Sequence, residues 1–159
     1  MLGSTVASGV VMTTTLRTLY DTDYALWTQT MAKYLRQRDL DALDVENLAE
    51  EIESLGKRDR RELVSRLEVL LMHLLKWQHQ SQKRSTSWQI TIKEQRRQIA
   101  RILSDSPSLK PYLATEFANC YQEARDMAVD ETGLDRSSFP ENCEWTIEQV
   151  SDRAFWPEP

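Results

Sequence analysis

"ELVSRLEVLLMHLLKWQHQ", residues 62–80, sets apolar side chains at Leu63, Val64, Leu67, Leu70, Leu71, Leu74, Leu75 and Trp77. At 100° per residue these positions sweep an arc of about 160°. So wide an arc marks the central helix of the fold, running to about Gln80. Its neighbours can be read outward from it in both directions.

Upstream, "YDTDYALWTQTMAKYLRQ" (residues 20–37) offers Asp21 and Asp23 as caps, then Tyr24, Trp27, Met31, Tyr34 and Leu35 at helical spacing. This predicts a first helix from roughly Asp23 to Arg38. A second begins at Asp44, with Leu48, Ile52 and Leu55 inward and Gly56 as a stop or kink before the central helix. Downstream, "STSW" (85–88) supplies hydroxyl caps for a fourth helix. Trp88, Ile92, Gln95, Ile99, Ile102 and Leu103 form its inner face, and Lys93, Arg97 and Arg101 its outer one. It stops before "SDSPSLKP" (104–111), where two prolines interrupt the chain. Leu113, Phe117, Cys120, Tyr121, Ala124, Met127 and Ala128 define a fifth helix ending before Gly133. The final "FPENCEWTIEQVSDRAFWPEP" (139–159) reads as a turn, a short helix around Thr146 to Ser151 and an aromatic tail. No strand pattern, internal repeat or low-complexity tract occurs. The fold class is all-α: a single-domain helical bundle of about five main helices plus a short C-terminal helix, spanning residues 20–159. Residues 1–19 read as a disordered lead-in, with Met12 an alternative start.

The chain has 159 residues, enough for one core that needs neither metal nor disulfide. Cys120 and Cys143 give no disulfide framework and read as free thiols. The opening residues lack a secretory pattern, and nowhere do roughly 18 uncharged apolar residues run together. A cytoplasmic protein without membrane insertion is the expectation. The net charge of −5 hides a segregation: residues 57–101 carry 12 basic and 4 acidic side chains, while both flanks are acidic. Such a basic middle serves either a nucleic-acid surface or pairing with the protein's own acidic neighbours.

Motifs of catalysis are missing: no Gly-rich phosphate loop, no Gly-x-Ser-x-Gly elbow, no Cys-x-x-Cys. His73 and His79 stand six residues apart, about 240° around a helix, so one helical face cannot present both to one metal. No metal and no cofactor is expected. Glu50 and Glu51 are adjacent and point to different faces, which disfavours a carboxylate pair for acid/base work.

Read in order, "YDTDYALW", "LDVENLAEEIESLGKRDRRELVSRLEVLLMHLLKWQHQ", "RSTSWQITIKEQRRQI", "SPSLKPYL" and "FPENC" closely resemble the domain of unknown function 29 family. The resemblance covers about Tyr20 to Trp156 and implies a small helical bacterial protein, common in cyanobacteria, without an assigned activity. One departure stands near the end: Glu144 follows Cys143 where the family has Cys-Pro-aromatic. The polar positions that match the family's motifs are Glu50, Glu51, Glu53, His73, Lys76, Arg84, Ser87, Thr91 and Arg96.

Of these, Glu50, Glu51, His73, Lys76, Arg84 and Arg96 form a candidate polar cluster, either a ligand site or a network joining helices. His73 lies about 40° beyond Trp77 at the edge of the apolar arc. Such boundary residues join helices by hydrogen bonds and ion pairs, and Glu51 with His73 or Arg96 is the expected pairing. Trp88 is expected to pack near Trp77, His73 to face an acidic or hydroxyl partner from a neighbouring helix, and Arg84 to meet acidic residues of a flanking segment. Together these point to a non-enzymatic interaction module that binds a protein partner or itself, with Trp145, Phe155 and Trp156 as candidate anchors. The alternative is a nucleic-acid-associated regulator using the basic segment 57–101, with Arg58, Arg61, Lys93, Arg97 and Arg101 as its surface. A metal-dependent hydrolase built on Glu50, Glu51 and His73 carries the least support.

Overall fold

The computed structural model describes residues 19–159. The disordered lead-in expected over 1–19 and the alternative start at Met12 lie outside those residues, apart from Leu19, which is helical. All regular structure among the described residues is helical. Besides helical residues 19–22 there are α1 (Tyr24–Gln37), α2 (Val45–His79), α3 (Thr86–Asp105), α4 (Lys110–Thr132) and α5 (Ile147–Ser151). Four single 3₁₀ turns join them, at Leu40–Ala42, Ser81–Lys83, Pro107–Leu109 and Arg136–Ser138. No described helix is long and apolar enough to cross a membrane.

Most helix ends follow the caps read from the sequence. Asp23 accepts the Leu26 amide at the start of α1, and Ser85 accepts the Trp88 amide at the start of α3. Thr146 and Gln149 form a reciprocal capping box on α5. Gly133 closes α4 at φ 68°, a left-handed conformation in which a Cβ would be strained. Pro111 sits in the first turn of α4, where a missing amide hydrogen is harmless. The fourth helix runs slightly further than expected, to Asp105.

The larger difference is at Gly56. The second and third helices expected from the sequence are one 35-residue helix, α2, which passes through Gly56 without a break. A glycine in a helix interior costs only about 1 kcal/mol relative to alanine. The flanking Glu, Leu, Lys and Arg residues are strong helix formers, and Gly56 does not adopt a positive φ. Ile52 and Leu55, expected to face inward, are 63% and 56% exposed.

The chain divides into two compact units, Met1–Lys57, of which residues 19–57 are described, and Arg58–Pro159. In the first, Trp27 and Met31 of α1 are buried with Leu19, Tyr20, Tyr34, Leu43 and Leu48 around them. Asp44, almost fully buried, accepts hydrogen bonds from the Trp27 indole and the Asn47 amide. In the second, the apolar arc of residues 63–77 is buried together with Ile92 and Ile99 of α3, Leu113, Tyr121 and Ala124 of α4, Phe139 and Val150. Cys120 and Cys143 are free thiols.

Candidate functional site

The end of α2 leaves backbone carbonyls without helical partners. The Ser81–Lys83 turn brings Arg84 back over that end, so its Nε donates to the Trp77 carbonyl at 2.8 Å and its guanidinium lies 4.7 Å from the Trp77 ring centroid. Trp77 packs in turn on Trp156, ring centroids 4.8 Å apart, and Arg96 sits 5.5 Å from the Trp156 ring. The result is a ladder of cation, indole, indole and cation, a favourable arrangement because the ring faces carry negative charge. Arg96 is 3% exposed, with Nε donating to the Val150 carbonyl at 2.8 Å and Nη2 to the Phe155 carbonyl at 2.7 Å. Burial and these bonds draw the tail over the core of the second unit. Trp156 is therefore part of the packing instead of a free anchor. Phe155 makes an edge contact with Trp145, their ring centroids 6.0 Å apart.

Beside the ladder, buried Lys76 pairs with Glu131 of α4 and lies 4.6 Å from the Trp88 ring centroid. Trp77 thus takes Trp156 as its ring partner, and Trp88 takes Lys76. Trp88 packs against the core cluster that contains Trp77, and Lys76, next to Trp77 and about 100° round the helix, carries its charge to the Trp88 ring. Arg84, expected to meet acidic residues, meets a carbonyl and a ring.

His73 is half-buried, its Nδ1 donating to the Val69 carbonyl at 2.9 Å one turn earlier, while Glu131 of the neighbouring α4 acts on it electrostatically, the acidic neighbour expected from the sequence. Burial holds its pKa below the usual 6.5, assisted by the Lys76 charge and opposed by the Val69 bond and Glu131. Glu50 is exposed. Glu51, in the first unit, accepts from the Tyr20 hydroxyl at 2.6 Å and the Tyr24 hydroxyl at 2.7 Å, and this bond pushes the Tyr20 phenol up to about 12. Within the second unit, Arg84 and Arg96 thus stand at the two ends of one ladder, and His73 and Lys76 both interact with Glu131. No three His, Cys, Asp or Glu side chains converge as a metal-ligand set among the described residues.

The basic candidates Arg58, Arg61, Lys93, Arg97 and Arg101 are all exposed. Lys93, Arg97 and Arg101 follow one another at four-residue intervals along one face of α3. Arg97 is held by Glu94 at 2.8 Å, and its hydrogen bonds, with that of Gln98, pull the Glu94 carboxyl down to about 2.

One concave surface of the second unit was not visible in the sequence. Phe117, Tyr121, Cys143, Trp145 and Ile147 line a cleft of about 380 Å³, with the Gln122 and Asn142 amides among its lining. Its far wall is the segment after Phe139, fixed to α4 by backbone-directed bonds. The Tyr121 hydroxyl donates to the Pro140 carbonyl, Gln122 Nε2 to the Glu141 carbonyl, and Arg125 to the Phe139 carbonyl. Phe117 and Tyr121 have the spacing of core residues, and that spacing is the same whether a helix face is fully covered or half open. Burial pushes the Cys143 thiol up, and the Cys120 thiol up to about 12, so at neutral pH neither is the thiolate that nucleophilic chemistry needs.

The family pattern of a domain of unknown function, DUF29, matches residues 19–156. No curated protein and no solved structure matches the chain.

Proposed function

Since the chain belongs to the DUF29 family, whose description assigns no activity, we propose that it is a non-enzymatic protein-interaction module whose aromatic cleft receives an apolar side chain from a basic segment of a partner protein. The observation that carries this reading is the cleft of Phe117, Tyr121, Trp145 and Ile147 together with the charge around it. The segments that supply its walls carry five glutamates (Glu116, Glu123, Glu141, Glu144 and Glu148), against Arg125, which bonds the Phe139 carbonyl, and Arg136, which bonds the lining Gln122. An apolar floor whose wall segments carry more glutamates than cations suits an aromatic or aliphatic anchor flanked by Lys or Arg, because the charge steers and the floor holds. The partly exposed Phe117 and Trp145 supply the rigid area that such anchors favour.

Cys143 provides the readout, since it lines the cleft itself. Synthetic peptides carrying one Leu, Phe or Trp between lysines are expected to slow its alkylation, and glutamate-flanked peptides of the same length are not. Trp145→Ala should abolish that protection. Equal alkylation rates with every peptide would reject the reading.

A second reading, a nucleic-acid-associated regulator, is favoured by the exposed row Lys93, Arg97 and Arg101 on α3. Gel-shift titrations at low salt test it. Binding that weakens steeply as salt rises would support it, because phosphate contacts release counterions.

A further inference from the structure

We infer that a second cleft, lined by Lys93, Arg96, Arg97 and Arg153, binds a compact phosphoryl anion, either free phosphate or a phosphate monoester. Its volume is about 260 Å³, and its lining side chains are all basic. The arrangement is built by Arg96. By donating to the carbonyls of Val150 and Phe155, Arg96 fixes the segment that carries Arg153 beside α3, where Lys93 and Arg97 stand one helical turn apart.

Two carboxylates offset these charges. Glu94 engages Arg97, and Asp152 attracts Arg96. Lys93 and Arg153 form no ion pair among the described residues, so four cations face two anions and an excess of two positive charges remains. Arg96 shows the same deficit at the atomic level. Its Nη1 is one of three covered side-chain polar atoms without a hydrogen-bond partner among the described residues. A buried donor in that state is costly, and the carbonyls bonded by the other two nitrogens are neutral.

A phosphoryl group carries a charge of about −1.5 to −2 and three acceptor oxygens, which matches both the excess and the planar fork of Arg153, the Nε and Nη2 of Arg97 being engaged by Glu94. A carboxylate would leave one charge unmet. A long polyanion fits less well than a compact one, since beyond the cleft it meets a chain whose net charge is −5.

Amide NMR titration of the full chain at constant ionic strength tests the inference, with inorganic phosphate, phenyl phosphate and a single-stranded oligonucleotide as separate arms and chloride as the balancing salt. Saturable shifts at residues 93–97 and 150–153 are expected with inorganic phosphate, phenyl phosphate or both, and the pattern identifies free anion or monoester as the ligand. Lys93→Gln and Arg153→Gln lie on the surface and should leave the denaturation midpoint unchanged, while each weakens binding about tenfold or more, equivalent to about 1.4 kcal/mol. Absence of saturable shifts with both small anions, binding that neither variant weakens, or binding of the oligonucleotide alone would overturn it. Peptide protection of Cys143 reports on the other cleft, so the two ideas fail separately.

Discussion

Arg96 carries a full charge into a place where its partners are two backbone carbonyls and an indole ring. The sequence placed it correctly at the margin of the inner face of α3 but could not name those partners, which lie 54 and 59 residues away. The same applies to the tryptophans. Trp77 is 9% exposed and packed on Trp156, whereas Trp88 is only half-buried against Lys76. Trp77→Ala should therefore cost about 3–5 kcal/mol, with Trp88→Ala costing clearly less. Urea denaturation of both variants measures the difference, and equal losses would contradict the ladder. The histidines govern acid sensitivity. Burial lowers the pKa of both His73 and His79 in the native state, so the unfolded chain binds protons more readily. Their contribution is fully present above the unfolded value of 6.5 and is lost as pH falls through the lower native values. Midpoints measured between neutral and mildly acidic pH should fall, and His73→Gln should flatten that fall. Glu68 acts oppositely, since burial and Glu123 raise its carboxyl, but its window lies nearer the carboxylate range.

Elements were legible where a side chain both starts or stops a helix and leaves a sequence signature. Asp23, Ser85, Thr146 and Gly133 are such positions, and the ends of α1, α3, α4 and α5 follow from them. Gly56 misled because glycine is compatible with a helix interior as well as with its end, and only the backbone φ separates the two. The difference is testable by one substitution at each glycine. A Cβ on Gly56 meets nothing within 4 Å, so Gly56→Ala should stabilise by about 0.5–1 kcal/mol. At Gly133 the space is equally open but φ is +68°, so Gly133→Ala should destabilise by about 1–2 kcal/mol. Thermal melts followed by circular dichroism give both signs. The cleft was not legible at this scale, because its far wall is an irregular segment whose position depends on bonds from Tyr121, Gln122 and Arg125 to backbone carbonyls. Any residue can supply such carbonyls, so they leave no trace in a sequence.

For the whole molecule, the all-helical class followed from periodicity, and the partition into units at Lys57 and Arg58 falls where the acidic flank gives way to the basic segment 57–101, a charge change that by itself does not mark a unit boundary. The two thiols report on how tightly the second unit is closed. Cys120 is 1% exposed with its pKa near 12, so it should stay unmodified by a thiol reagent until that unit opens, while Cys143 reacts first and slowly. Simultaneous modification of both in native buffer would show that the core around Cys120 opens readily. The clamp of Arg96 on Val150 and Phe155 also has a consequence for the order in which the protein is made. A ribosome adding about 5–20 residues per second produces those carbonyls roughly 3–12 seconds after Arg96 itself. During that interval the nascent chain already holds Trp77 and Arg96 but lacks the residues that cover them. The Trp77 indole and the unmatched Arg96 guanidinium are then open to solvent and to chaperones, and the charge is buried only once residues 150–156 have been added.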